Sequence, residues 1–312
     1  MRKFHVIHRM ICPLLALAWL AGAAAVQAQE PVATDAVGTL KVERFGNHGQ
    51  PVILVPGLTC GTWEWRDTIT QLQKSHVVYA VTLAGFDGTA APTGDRFLDQ
   101  ADASLLKLIR DRHIHKPVLV GHSIGGTLSL RFAGEHADLI AGVVAVDGLP
   151  VFPGMDRVST TQREAIAAKM AQKMAGVTQD QYPAFALGYM QHMGVIDPQL
   201  AARHAPEVAR SDIKAAARYM QEDMASDYRP GLSHASVPIL EISPYYAADF
   251  EKAAAMSKQP LISEPQKTAY YASLLKDAPN AKVVSIAPSR HFVMLDQPAK
   301  FQRVLDGFLK TL

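Results

Sequence analysis

Residues 121–126 read Gly-His-Ser-Ile-Gly-Gly, a G-x-S-x-G motif that follows an apolar run at 117–120 and precedes a helix-forming segment. This motif requires a tight turn from a strand into a helix. The turn strains the backbone at the serine, so side chains at the flanking glycine positions would clash. It projects the hydroxyl of Ser123 above the sheet, at the positive end of the following helix dipole. We therefore predict that Ser123 is a nucleophile.

On both sides of the motif, short apolar runs alternate with longer segments of helical period. This alternation is typical of an α/β fold with a mostly parallel, doubly wound sheet that is covered by helices on both faces. The predicted strands are residues 51–55, 76–82, 117–120, 142–146, 237–242 and 281–286. The predicted helices are residues 63–74, 98–112, 268–276 and two that begin at 124 and 299.

Residues 150–235 interrupt this alternation, since they contain no convincing strand and carry seven of the eleven methionines. We predict a helical cap at 150–235, inserted between two strands of a core formed by 29–149 and 236–312. Its methionines either pack between helices or line a pliable apolar pocket. The predicted helix starts are the capping boxes Ser159/Gln162 and Thr161/Glu164 and a cap at Ser211. The predicted apolar faces are Ile166, Met170 and Met174, then Ile213, Ala217, Met220 and Met224.

The first 28 residues have the order of a secretory signal peptide. Arg2, Lys3 and Arg9 form a basic start, an apolar stretch follows at 10–25, and Ala28 ends a small-residue cleavage pattern. The alternative is a membrane anchor, but the apolar stretch is shorter than the roughly 20 residues that span a bilayer. We predict an exported protein, periplasmic or secreted, with no membrane span after cleavage.

The charge balance gives no indication of a nucleic-acid or polybasic membrane surface. The chain has 31 basic and 29 acidic residues, and three of the basic ones lie in the predicted leader. Cleavage would leave Cys60 as the single cysteine, which excludes an intramolecular disulfide in the mature chain.

From about residue 39 to the C-terminus the chain resembles the α/β-hydrolase superfamily with a helical cap. The resemblance implies the chain order nucleophile, acid, histidine. It places the catalytic histidine directly after the last predicted strand, where the sequence has His291. It also implies an oxyanion hole of two backbone N–H groups. These would belong to Ile124, after the nucleophile, and to Leu58, in a loop similar to the family's His-Gly loop.

The sequence departs from the family pattern at the acid. In the family, the acid usually lies in the turn after the penultimate strand. In this turn the sequence has a tyrosine at about the position of the carboxylate, and Asp249 lies slightly further along the chain. Asp147, at the end of the strand after the nucleophile's helix, matches the place used by some members, including haloalkane dehalogenases. We predict Asp147 as the acid. Asp249 remains an alternative acid, and a site in which neither aspartate is the acid remains a second alternative.

The sequence favours a hydrolase that needs no cofactor or metal. His113 and His115 lack a third ligand, and the glycines at 85 and 88 do not form a phosphate loop. We expect a Ser-His-Asp acyl-enzyme mechanism on an ester, lactone or thioester with a hydrophobic group. Perhydrolysis, carbon–carbon hydrolysis and aminopeptidase activity on the same fold remain alternatives, as does a non-catalytic binding protein.

If the leader is cleaved as predicted, protein recovered from the exporting cell begins at or near Gln29. N-terminal sequencing or intact mass measurement of the exported product tests this. A membrane-bound product that begins at Met1 would instead identify the segment as an anchor.

Overall fold

The computed structural model of the protein describes residues 30–312. The signal-peptide prediction for residues 1–28 lies outside them. None of the helices within 30–312 combines the length and the apolar character that crossing a membrane requires.

One eight-stranded sheet forms the centre of the molecule, in the order β1-β2-β4-β3-β5-β6-β7-β8. Strands β3 to β8 run parallel to one another, while β2 pairs antiparallel with both β1 and β4. The predicted mostly parallel sheet is therefore confirmed. The strands are β1 (Ala33–Val37), β2 (Leu40–Phe45), β3 (Pro51–Val55), β4 (Val77–Leu83), β5 (Val118–His122), β6 (Gly142–Val146), β7 (Ile239–Pro244) and β8 (Ala281–Ile286).

Helices cover both faces of this sheet, which explains why its strands read as apolar runs. In β3, Val52 and Leu54 pack on the face covered by α1 and α11, whereas Ile53 and Val55 pack on the face covered by α2 and α3. Successive side chains of a strand point to opposite faces, so both sets must be apolar. The helices are α1 (Arg66–Leu72), α2 (Phe97–Asp111), α3 (Ile124–His136), α4 (Thr160–Ala175), α5 (Tyr182–Tyr189), α6 (Pro198–Val208), α7 (Ile213–Ala225), α8 (Ala247–Ser257), α9 (Glu264–Leu274), α10 (Val293–Asp296) and α11 (Pro298–Leu309).

The predictions omitted β1, β2 and α8. Strand β1 has four exposed residues of five, and β2 alternates buried with partly exposed residues, so neither forms a continuous apolar run. Helix α8 has no buried residue and so lacks an apolar stripe that would mark it in the sequence.

The chain between β6 and β7 is helical, as predicted. Helix α4 packs against α7, and α5 packs against α6. Glu222 of α7 joins this segment to the sheet's own helices, because its carboxylate accepts the N–H groups of Phe97 and Leu98 at the start of α2, at 3.0 and 2.8 Å. These are two of the N–H groups that a helix start leaves without a partner. The division into a core and a cap at 150–235 stays a prediction.

Two details of this helical segment differ from prediction. On α4, Ile166 and Met170 are 40% and 46% exposed, and the buried positions are Arg163, Ala167 and Ala171. The inward face therefore lies one residue further along than the methionine spacing indicated, because small residues allow the close approach of α7. The capping box of Ser159 and Gln162 is present at the start of α4.

The start of α7 is the second difference. Asp212, not Ser211, caps this helix by accepting the N–H groups of Lys214 and Ala215. The hydroxyl of Ser211 instead donates to the carbonyl of Thr59, in the loop after β3.

The strand-to-helix turn at Ser123 has the steric character that the motif predicts. Ser123 has a φ of 53°, in the left-handed region. A Cβ added at Gly121 would lie 2.1 Å from the carbonyl oxygen of Gly125, and one added at Gly125 would lie 2.4 Å from that of Val55. Both glycines are therefore required by close backbone contacts.

Gly125→Ala should lower the free energy of unfolding by about 1–3 kcal/mol, because the new methyl group overlaps backbone that cannot turn away. Alanine normally stabilises a helix, so the matched control is Gly307→Ala in α11, where a Cβ meets no atom within 4 Å. That control should gain about 0.5–1 kcal/mol. Urea denaturation measures both, and equal effects at the two positions would contradict the steric account.

Candidate active site

Ser123 stands where β5 turns into α3, at the carboxyl edge of the parallel strands. Its N–H donates to the carbonyl of Val146 at 2.9 Å, which ties the turn to the end of the adjacent β6. The side chain is partly exposed, and within residues 30–312 its hydroxyl makes no hydrogen bond. Ligands bind at this edge in open α/β sheets.

The loop after β3 lies against the Ser123 turn. The carbonyls of Val55 and Pro56 are the atoms that a side chain at Gly125 would meet, and Leu58 packs against the apolar cluster that contains Ile124. Among the described residues, neither the Leu58 nor the Ile124 amide donates to another group of the protein. Both N–H groups are thus free to bind a ligand oxygen, as an oxyanion hole requires.

His291 and Asp147 form a direct contact. The Nδ1 atom of His291 lies 2.5 Å from Oδ2 of Asp147, although the two residues are 144 positions apart in sequence. Asp147 directly follows β6, with a φ of 49°, and its N–H donates to the carbonyl of Ile242 at 2.9 Å. His291 lies in the loop after β8, where its N–H donates to the carbonyl of Met193 at 3.2 Å.

The surroundings favour an ionised Asp147 beside a neutral His291. Burial opposes the charge on Asp147, but the Lys267 ammonium, followed by the contacts with His291 and Tyr271, outweighs burial and lowers the pKa of this carboxyl well below its ordinary value. Burial, followed by the neighbouring His122, lowers the pKa of His291, and Asp147 opposes this shift only in part. A neutral imidazole is the form that can accept a proton.

The structure does not bring Asp249 to His291. Asp249 begins α8 and accepts two hydrogen bonds from Arg290, with Nε and Nη2 at 2.7 and 2.8 Å. The same guanidinium donates to the carbonyls of Gln191 and Val195 and stacks over the ring of Tyr246, 5.1 Å from its centroid. Asp249 and Tyr246 therefore both orient Arg290, the residue that precedes His291.

A buried Glu64–His122 pair links the oxyanion-hole loop to the histidine loop. Glu64 accepts the Gly57 N–H at 3.0 Å and contacts Nδ1 of His122 at 3.1 Å, and Nε2 of His122 lies 3.1 Å from the carbonyl oxygen of His291. A carbonyl only accepts, so Nε2 carries a hydrogen, and a further proton lies between Nδ1 and Glu64. Glu64 gave no signal in the sequence, because it stands between two tryptophans and outside any recognised motif.

Two other ionisable groups are buried near the site. Cys60 is fully buried, and burial, followed by the charge of Glu64, raises the pKa of its thiol, which suits a small packed side chain. Glu241 is also buried, and neither of its carboxylate oxygens makes a hydrogen bond of normal geometry within residues 30–312. Burial, followed by the charge of Asp147, raises the pKa of Glu241 well above its ordinary value.

Asp102, Glu135 and His136 could hold a metal ion, since one ligand atom from each lies within 4.8 Å of the others. His136 is the last residue of α3 and Ser123 directly precedes its first, so the two are about 20 Å apart along the helix. Arg131 contacts Glu135 at 3.0 Å, and its charge disfavours a second cation there. This group is therefore separate from the site at Ser123.

A mostly parallel sheet that carries a serine on a strand-to-helix turn, with a histidine–carboxylate pair at the same edge, defines the α/β-hydrolase class of proteins. The profile of the Alpha/beta hydrolase family matches residues 52–304, and the chain belongs to this family.

Several known proteins resemble the chain over most of its length. RutD of Serratia proteamaculans (strain 568), whose name as a carbamate hydrolase is provisional, is 23% identical over 265 residues, which cover 83% of this chain and 90% of that protein. The enol-lactonase from Burkholderia xenovorans LB400 superposes with a TM-score of 0.69 at 18% identity, covering 89% of this chain and 100% of that chain. The esterase EaEST from Exiguobacterium antarcticum gives 0.68 at 16% identity, covering 90% and 98%. At these identities the structural likeness establishes the fold.

Asp147→Asn should reduce kcat by about 10⁴-fold, as expected when the carboxylate that orients a base loses its charge. Asp249→Asn, the matched control, should have a mild effect because Asp249 contacts Arg290 instead. Steady-state kinetics on any ester that the protein turns over, with melting temperatures for both variants, tests the pair. The reverse order of effects would return the acid to the position after β7.

Proposed function

We propose that the protein is an exported serine hydrolase that cleaves a carboxylic ester, lactone or thioester carrying a hydrophobic group. The observation that carries this proposal is the 2.5 Å contact between His291 and Asp147 at the sheet edge where Ser123 projects from its strained turn. The three residues follow one another in the order of the family, serine, acid, histidine.

In the proposed reaction, His291 takes the hydroxyl proton of Ser123 as the oxygen attacks the substrate carbonyl. The N–H groups of Leu58 and Ile124 bind the oxyanion, and Asp147 stabilises the imidazolium that forms. The imidazolium then gives its proton to the leaving group, which departs and leaves an acyl-enzyme. Water, deprotonated by His291, attacks the acyl carbon, and the serine recovers its proton as the acid is released.

The side chains around the site support a hydrophobic substrate group. Met193, whose carbonyl accepts the His291 N–H, has a side chain that is 62% exposed. Behind His291, the buried ring of Phe292 has its centroid 6.1 Å from that of Trp63 and 6.2 Å from that of Tyr189. The unbranched thioether of Met193 adapts to apolar groups of varied shape. We propose that the helical segment at 150–235, to which Met193 belongs, covers the site as a cap.

A binding protein that retains the hydrolase pocket is the rival from another class. At the carboxyl edge of its sheet the chain has a serine, a histidine that is paired with an acid, and two free amides, and this set of groups supports catalysis over simple binding. Reaction with a fluorophosphonate separates the two, since only an activated serine forms the adduct.

Ser123→Ala should abolish ester turnover and fluorophosphonate labelling, because the attacking oxygen is removed while the fold is retained. The measurement uses purified mature protein on nitrophenyl esters of increasing acyl length, together with a lactone, a thioester and a carbamate. Circular dichroism confirms folding, and Ser129→Ala on α3 serves as a matched serine control. Substantial turnover by folded Ser123→Ala would reject the serine mechanism.

A further inference from the structure

The side of Asp147 that faces away from His291 is also occupied. Its Oδ1 accepts the Tyr271 hydroxyl at 2.5 Å, and Nζ of Lys267 lies 3.8 Å from the same oxygen. Both residues stand on α9, four positions apart, so they share one face of that helix. The carboxylate is therefore contacted on both oxygens, by His291 on one and by α9 on the other.

Lys267 is held in this position by two further contacts. Its Nζ donates to the carbonyl of Pro244, the last residue of β7, at 2.5 Å, and lies 4.7 Å from the centroid of the Tyr271 ring. The side chain is only 15% exposed. A cation with little access to water needs a compensating negative charge, and Asp147 is the carboxylate in contact.

The contacts of Lys267 and Tyr271 matter because a second carboxyl, that of Glu241, is buried close to Asp147. Glu241 lies on β7 beside Ala145 of β6, close enough to Asp147 for the two charges to repel, and the close-by Lys267 favours ionisation of both. Two neighbouring buried carboxyls do not both ionise readily. The hydrogen bond from Tyr271 is made to Asp147 and not to Glu241, so the negative charge resides on the carboxylate that contacts His291.

We propose that Lys267 and Tyr271 are positioning residues of the active site, which keep Asp147 charged and turned toward His291, and that the Lys267 ammonium extends activity to lower pH. This inference rests on the proposed serine hydrolase function.

The pH effect follows from the charges around His291. The neutral imidazole is the active form, so activity is lost as the pH falls through the pKa of His291. Burial, followed by His122, lowers this pKa, Asp147 raises it, and Lys267 lowers it. Loss of the Lys267 charge should therefore raise the pKa of His291 and move the acid limb of the pH–rate profile to higher pH.

The other titratable and charged groups near the pair stay the same in a Lys267 variant. They belong to the segment between β3 and α1, to β7, to the helical segment at 150–235 and to the loop of His291 itself. They are Glu64 behind His122, Glu241 behind Asp147, Tyr189 from α5 and Arg290, which is paired with Asp249.

The test measures kcat and KM across pH for a nitrophenyl ester, read at the isosbestic wavelength of the product. Lys267→Met should move the acid limb up by about 0.5–1 pH unit, and Lys267→Arg, which keeps the charge, should leave it in place. Tyr271→Phe should lower kcat about 10-fold with KM little changed, since it removes one hydrogen bond to the acid.

Matched controls are available on and beside the same helix. Tyr270→Phe removes a hydroxyl that contacts Asp156 and the Gly154 N–H, and Lys276→Met removes an exposed lysine; neither should move the limb. Lys267→Gln replaces Lys267→Met if the latter does not fold. If the folded Lys267→Met or Lys267→Gln variant leaves the acid limb in place while Ser123→Ala is inactive, the inference about Lys267 is overturned and the proposed function is not. An active Ser123→Ala overturns the proposed function and this inference with it.

Discussion

The close contact of three backbone segments around Ser123 is the constraint on which the rest of the site depends. The end of β5, the first turn of α3 and the loop after β3 approach so closely that Gly121 and Gly125 have no room for a side chain. This contact sets Ser123 at the sheet edge and holds the loop that carries Leu58 against its turn. The adjacent parallel strands then determine where every other group can stand. Asp147 directly follows β6, and the His291 loop follows β8.

Much of the fold and the central residues could be predicted because each leaves a local sequence signal. Strands β3 to β8 leave apolar runs, and the turn at Ser123 leaves its two glycines. His291 could be placed by its position after the last apolar run. Strand β1, at one edge of the sheet, and β2 beside it leave no such signal, because four of the five residues of β1 are exposed and three of the six residues of β2 are partly exposed. The inward face of α4 was misplaced by one position, since packing against α7 selects small residues over large apolar ones.

The partners of Asp147 could not be predicted from the sequence, for a different reason. Asp147 and Asp249 are both near the ends of strands, and the choice between them depends on Arg290, which binds Asp249 across 41 positions. Lys267 and Tyr271 stand about 120 positions from Asp147 on an otherwise ordinary helix. Their spacing of four marks one helical face, but nothing local indicates which charged group that face will meet. Such contacts can be predicted only when the order of the strands in the sheet is known.

The buried Glu64–His122 pair has a consequence for the evolution of this chain. Gly57 donates its N–H to Glu64, and a Cβ added at Gly57 would lie 2.6 Å from Nδ1 of His122. Removal of one polar partner from a buried pair costs far more than replacement of both by apolar groups. Residues 57, 64 and 122 should therefore be inherited as a unit. In homologous chains a glutamate at 64 should co-occur with a histidine at 122, and lineages that lose one should have lost the other.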